Sequence, residues 1–266
     1  MRAPAARRSL RAVVIGPAAR RARHEGADGV VELAFGPGGY VRLAGHRVLV
    51  APARSPVGPL SILVAGLARR DLVPGAPAGV SAGALVVGAL RIELDGAGEA
   101  PPLLHSELAP GWSGALAAAL DAVPAAPAAL TDGLEALASG ELSAAVAQLA
   151  GRGDGLTPAG DDALAGYAGW RWAQGDPVAL PAHRCAPLGR DYLRCAEHGE
   201  LAQPAARVLE AIRAGQPRLA ARRARALAGW GATSGVAMLW GMAAGATEAR
   251  TPDPTQNIHS PPIGGG

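Results

Sequence analysis

Apolar positions along this chain change their spacing near residue 110. Before that point they fall in short runs, at 12–15, 29–34, 40–43, 47–50, 60–64 and 85–94, separated by glycine and proline. Val30-Val31-Glu32-Leu33 and Val48-Leu49-Val50 have the composition of strands, and Leu90-Arg91-Ile92-Glu93-Leu94 alternates as a half-buried strand should. Gly36-Pro37-Gly38-Gly39 and Pro74-Gly75 read as turns. This half is expected to form an antiparallel sheet or small barrel.

Beyond residue 110 the spacing becomes helical. Helices are predicted over 114–122, 130–150, 158–173, 189–198, 204–214, 217–229 and 233–247. Leu134, Leu137, Leu142, Val146 and Leu149 recur close to every 3.6 residues, and Pro204 and Pro217 stand where helices start. The expected fold class is therefore α+β. A β-rich domain would occupy 1–110, with 1–10 flexible. A helical domain would occupy 111–250, followed by a disordered tail over 251–266 that is rich in proline, glycine and polar residues.

Composition narrows the chemistry. A chain of 266 residues can bury an ample core, but with 49% hydrophobic and only 3% aromatic residues that core must be largely Ala, Leu and Val. All 25 basic residues are arginine, so a Schiff-base lysine, a P-loop lysine and a lysine general base are excluded. The net charge of +3 owes much to Arg2, Arg7, Arg8, Arg11, Arg20, Arg21 and Arg23, without interleaved aromatics, which argues against nucleic acid as a partner. Arg7-Arg8-Ser9-Leu10-Arg11 hints at an export signal, yet the apolar run that follows is shorter than the roughly 7–15 residues such a signal needs. No stretch is long and apolar enough to span a membrane. Two cysteines without CxxC spacing fit a reduced, cytoplasmic protein.

Candidate chemistry concentrates at Gly153-Asp154-Gly155-Leu156-Thr157-Pro158-Ala159-Gly160-Asp161-Asp162. Thr157-Pro158 reads as an N-cap and a first helical proline, with two carboxylates in the first turn, where the dipole favours negative charge. Two roles suit the segment. Gly153, Gly155, Thr157 and Gly160 could cradle an anion with backbone N–H groups. Alternatively, Asp161 or Asp162 could hold a divalent cation such as magnesium. The roles conflict, because carboxylates repel an anion unless a cation or a proton intervenes. Asp161 and Asp162 also lie about 100° apart around the helix, so they cannot serve one partner equally. Asp162 shares a face with Ala165, Gly166 and Gly169, a stripe small enough for another helix to approach closely. The bland alternative is a capped helix start and nothing more.

A second segment, Gly231-Ala232-Thr233-Ser234-Gly235-Val236-Ala237-Met238-Leu239-Trp240-Gly241, echoes the first. Gly235, Leu239 and Gly241 repeat the spacing of Gly160, Leu164 and Gly166, and Thr233 or Ser234 would cap the last helix. Two parallel helices with small faces would bring both starts together around one polar pocket. Elsewhere, the six histidines lack metal-ligand spacing, His183 and Cys185 have no completing pair, and Thr233-Ser234-Gly235 is no nucleophile elbow. Arg218, Arg222 and Arg225 form a stripe that is either a solvated face or a contact with another subunit.

These segments resemble a bacterial family that includes a subunit of oxamate carbamoyltransferase from allantoin catabolism. Its members look like G-x-G-x-G-L-T-P-S-G-D-D and, later, G-H-S-S-G-x-D-x-L-x-G. The first motif stands here as Gly153 to Asp162 with Ala159 in place of serine; in the second, Ala232 and Ala237 replace histidine and aspartate. The piece from Arg190 to Glu200 and Gly58-Pro59-Leu60-Ser61-Ile62 are also similar. The resemblance implies carbamoyl transfer between carbamoyl phosphate and oxamate by a multi-subunit enzyme. In that reading Asp161 and Asp162 are catalytic, Gly153, Gly155, Thr157, Gly160, Thr233, Ser234 and Gly235 bind a small anionic amide or ureide, and one of Arg152, Arg171 and Arg190 neutralises phosphate. A metabolite-binding or scaffold subunit is the alternative. The phosphate-binding turn of ordinary carbamoyltransferases, S-x-R-T, does not occur.

Overall fold

The structure, a computed structural model, describes residues 8–100, 103 and 107–248. The expected tail at 251–266, His105, His259, Arg2 and Arg7 lie outside the described residues. Strands β1 (Arg8–Ile15), β2 (Asp28–Phe35), β3 (Gly38–Leu43), β4 (His46–Pro52), β5 (Ser61–Val64), β6 (Pro77–Ser81), β7 (Ala84–Val87) and β8 (Leu90–Glu93) follow in sequence. They run in the order β5-β4-β3-β2-β6-β7-β8-β1, and β1 returns to pair with β5, closing a barrel. Short β9 (Gly98–Glu99) adds to β1. A barrel was expected, but its pairing is mixed: β4 with β5 and β1 with β8 run parallel. Alternation in sequence shows which face is buried, not which neighbour a strand meets. Arg8 to Leu10, expected at the flexible end, are held in register against Leu90 to Ile92.

The barrel interior follows the alternation. Leu90 and Ile92 point in while Arg91 donates outward to Glu93. Val31, Val41, Val48, Val50, Ile62, Val64 and Leu85 join them in one apolar cluster. Gly88, at φ +55°, turns β7 into β8 within the single apolar run expected over 85–94.

Eight of the helices follow or flank the barrel's end: α2 (Trp112–Leu120), α3 (Thr131–Ala138), α4 (Leu142–Leu149), α5 (Ala159–Ala173), α6 (Pro187–Ala196), α7 (Gln203–Arg213), α8 (Pro217–Ala228) and α9 (Ser234–Glu248). The first, α1 (Pro17–Ala22), lies inside the β half and packs on β4 and β5. The helix expected over 130–150 is broken between α3 and α4, where Gly140 adopts φ +77°. Helix α5 is buried along nearly its whole length, with α9, α6 and α4 against it. Among the described residues no helix is long and apolar enough to cross a membrane.

Barrel and helices share an apolar seam of Leu60, Leu188 and Cys195, flanked by Ala18, Tyr40 and Tyr192. Polar ties cross it. Arg47 on β4 reaches Asp191 on α6 at 3.1 Å, Arg21 on α1 pairs with Glu200 at 2.5 Å, and the Gln203 amide donates to the Val57 carbonyl. The Gly58-Pro59-Leu60-Ser61-Ile62 segment forms the turn beneath this seam: the Gly58 amide donates to the buried Ser61 hydroxyl, and a Cβ on Gly58 would meet Ala202.

Candidate ligand-binding cleft

Helices α5 and α9 touch through their glycines. A Cβ on Gly166 would lie 2.0 Å from the Met238 carbonyl oxygen, and one on Gly241 would lie 1.9 Å from that of Ala163. Only glycine allows this approach. At the far end Gly245 meets Trp170, while at the near end the Thr157 and Ser234 hydroxyls stand 3.3 Å apart. The helices therefore run parallel, and their two starts meet, as the echoing motifs predict.

The caps differ from expectation. Pro158 occupies the N-cap position of α5 and there is no side-chain cap, so Thr157 turns its hydroxyl to Ser234 instead. Two of the glycine amides are already engaged within the protein. The Gly160 N–H donates to the Arg152 carbonyl at 2.8 Å and the Gly235 N–H to the Trp230 carbonyl at 3.1 Å. Both glycines are buried because a side chain would strike backbone: Leu149 at Gly160 and Leu227 at Gly235. Gly153 holds φ +110° in an exposed loop, and Gly155 borders a neighbouring cavity. Thr233 is exposed and outside the cleft.

The two aspartates divide as their angular separation requires. Asp161 is buried, with Oδ1 accepting from the Gly151 amide at 2.7 Å and Oδ2 from the Ala186 amide at 2.8 Å. It ties the loop before α5 and the start of α6 to α5. Asp162 is only 4% exposed and lines the cleft, and its Oδ2 has no hydrogen-bond partner. Burial pushes its carboxyl up to about 7, and the charge of Asp161 adds to this; the Ser234 and Thr157 hydroxyls pull the other way. At neutral pH Asp162 therefore exchanges between acid and carboxylate.

The cleft encloses about 270 Å³ between barrel and helices. From the barrel come Phe35 and Tyr40; from the helices Leu156, Thr157, Asp162, Leu188, Tyr192, Glu200, Trp230, Ser234 and Met238. Tyr40 and Tyr192 face each other, hydroxyl to hydroxyl at 3.3 Å, and burial raises the pKa of both, so both remain neutral. Glu200 is countered by Arg21, whose pKa it raises through their hydrogen bond.

Among the described residues no arginine lines the cleft. Arg171 binds the Tyr167 hydroxyl and Asp176, Arg190 holds the carbonyls of Ala182, His183 and Cys185, and exposed Arg152 reaches the Gln148 carbonyl. Sequence proximity to the motif did not carry these side chains inward. The divalent-cation role is not supported either. Both oxygens of Asp161 are occupied by amides, and among the described residues no group of three or more His, Cys, Asp or Glu could hold a metal ion. Burial raises Cys185 to about 12 and Cys195 further still, so neither thiol is a nucleophile at neutral pH.

Sequence reasoning missed Phe35, Tyr40, Tyr192, Glu200 and Trp230. Two of them sit inside the quoted Arg190–Glu200 piece, whose polar residues nearly all make joints: Asp191 to Arg47, Tyr192 to Tyr40, Glu197 to the Leu180 amide and Glu200 to Arg21.

Comparison with known proteins finds a likeness over part of the chain. The family model described as oxamate carbamoyltransferase subunit AllH matches residues 149–246. That stretch runs from the last residue of α4 almost to the end of α9, so it includes both helix starts and omits the barrel. No curated protein and no solved structure matches the chain.

Proposed function

We propose that this protein is a subunit of a carbamoyltransferase-type enzyme acting in the cytoplasm on a small amide or ureide, with Asp162 as the group that engages the ligand. The observation that carries this reading is the buried carboxyl of Asp162, with Oδ2 lacking a hydrogen-bond partner, in a cleft at the joined starts of α5 and α9, within the stretch similar to the carbamoyltransferase subunit family. A neutral carboxyl offers one O–H donor and one acceptor. A primary amide such as that of oxamate offers the complement, so two hydrogen bonds would orient it. Protonation also removes the charge that would repel an anionic substrate, and Arg21 offsets Glu200. Thr157 and Ser234 add hydroxyls beside the same carboxyl.

In the carboxylate form, Asp162 would accept a proton from the oxamate amide nitrogen as that nitrogen attacks the carbamoyl carbon of carbamoyl phosphate, the carbon–oxygen bond to phosphate breaking and inorganic phosphate leaving. A base titrating near the working pH suits this task. Asp161 is a positioning residue in this reading. With no arginine among the described residues lining the cleft, the phosphate of carbamoyl phosphate would be met by other subunits of the assembly.

The test is carbamoyl transfer to oxamate by the reconstituted assembly. Asp162→Asn should retain oxamate binding, since a carboxamide also pairs with an amide, but should lower turnover by about 100-fold or more, as loss of a general base does. Undiminished turnover would remove Asp162 from the chemistry and favour a subunit that binds the metabolite without acting on it.

A further inference from the structure

We propose that the preferred ligand of this cleft is a planar cyclic amide, a ring carrying an N–H beside a C=O, held between aromatic side chains with that edge against Asp162. The proposal rests on the reading of the Asp162 cleft as the ligand site and, within the amide and ureide class, ranks a ring above the open-chain oxamate.

Aromatic residues make up only 3% of the chain, yet its single Phe, two of its three Tyr and one of its five Trp line this one cavity. A core built on Ala, Leu and Val does not require that concentration. Phe35 and Leu156 are respectively 46% and 52% exposed, which leaves large apolar surface at the mouth of the cleft. Exposed apolar surface beside buried polar groups marks a binding site rather than a packing residue. Phe35 and Tyr40 already stand 5.7 Å apart, ring to ring, at a tilt of 48°. A flat ring gains most from such walls, because stacking acts through its π-face.

Size and charge agree. The cavity of about 270 Å³ approaches the roughly 300 Å³ at which pockets for drug-sized ligands begin. That is more room than a molecule as small as oxamate fills. Phe35, Tyr192 and Trp230 also line a second cavity of about 340 Å³, so the aromatic floor extends to where a ring substituent would lie. Among the described residues the charged groups lining the cleft are acidic and none is a cation, which suits an uncharged ring better than a compact anion. The free Oδ2 of Asp162 supplies the edge-reading group.

Calorimetric titration of the full chain at pH 6 with uracil, 1,3-dimethyluracil and oxamate tests this. Uracil is expected to bind more tightly than oxamate. Dimethyluracil, which has the same ring but no N–H, should bind at least about tenfold more weakly than uracil, because Oδ2 of Asp162 gains no donor from it. Phe35→Ala should weaken uracil about tenfold without lowering the unfolding temperature, since Phe35 is half exposed. Oxamate binding without uracil binding would overturn the ring proposal and leave the reading of the site intact, as would dimethyluracil binding as well as uracil. If uracil binds with the expected pattern and oxamate does not, the ring proposal stands and the oxamate reading falls. Binding of none of the three would overturn both.

Discussion

A single carboxyl separates this site from a well-packed helix start. The glycine motif drew attention to two aspartates, and their 100° offset already implied different partners. It could not show which one faced the cleft, because that depends on where α6 delivers its first amide. Gly151 and Ala186 satisfy both oxygens of Asp161, whereas Oδ2 of Asp162 has no hydrogen-bond partner. Burial of that second carboxyl has a consequence for stability. Its folded-state pKa, about 7, is raised above the ordinary 3.8, so the folded protein holds a proton that the unfolded chain releases. Stability from this group is therefore complete below about pH 4, is lost as pH rises toward 7, and is level above that. Relative to Asp162→Asn, the wild type should lose on the order of 4 kcal/mol over that window. Denaturant unfolding of both proteins at pH 4, 5.5 and 7 checks this; parallel curves would mean that Asp162 titrates normally.

At the scale of elements, helices were legible because their apolar residues repeat on one face and their starts carry proline. Expected starts at 158, 204 and 217 agree with α5, α7 and α8 to within a residue. Among the elements the sequence did not announce, β6 and α1 show why. β6, Pro77-Ala78-Gly79-Val80-Ser81, has no strand composition and is recruited by pairing with β2 and β7 on either side. α1 is a short turn whose buried Ala19 and Ala22 make too small a signal to read. Of the small-residue stripes expected to meet a helix, Gly166 and Gly241 do so, whereas Gly169 faces Leu201 in the loop before α7, and the contact sets a test. Gly241→Ala places a methyl 1.9 Å from the Ala163 carbonyl and should cost roughly 1–3 kcal/mol, while Gly114→Ala in α2, with open space around it, should stabilise by about 0.5–1 kcal/mol. Thermal unfolding distinguishes them, at about 2–4 °C per kcal/mol for a chain of this size. Equal melting temperatures would mean that α5 and α9 are not in close contact.

At the scale of the whole molecule, the cleft exists only because barrel and helices meet. Tyr40 and Tyr192 are 152 residues apart, and nothing local to either announces the other. The β half contributed apolar runs and turns to the sequence reading, but its function as one wall of a cleft emerges from the Phe35–Tyr40 turn facing α6 and the loop before α5. Ion pairs between Arg47 and Asp191 and between Arg21 and Glu200 hold that wall in place. The matched family stretch covers the helical wall alone, so ligand preference can differ between proteins that share it. The most direct measurement is calorimetric binding of oxamate at pH 6 to the full chain and to Asp162→Leu. The account predicts affinity at least about tenfold weaker in the variant, with two ligand hydrogen bonds removed. Equal affinity would contradict it.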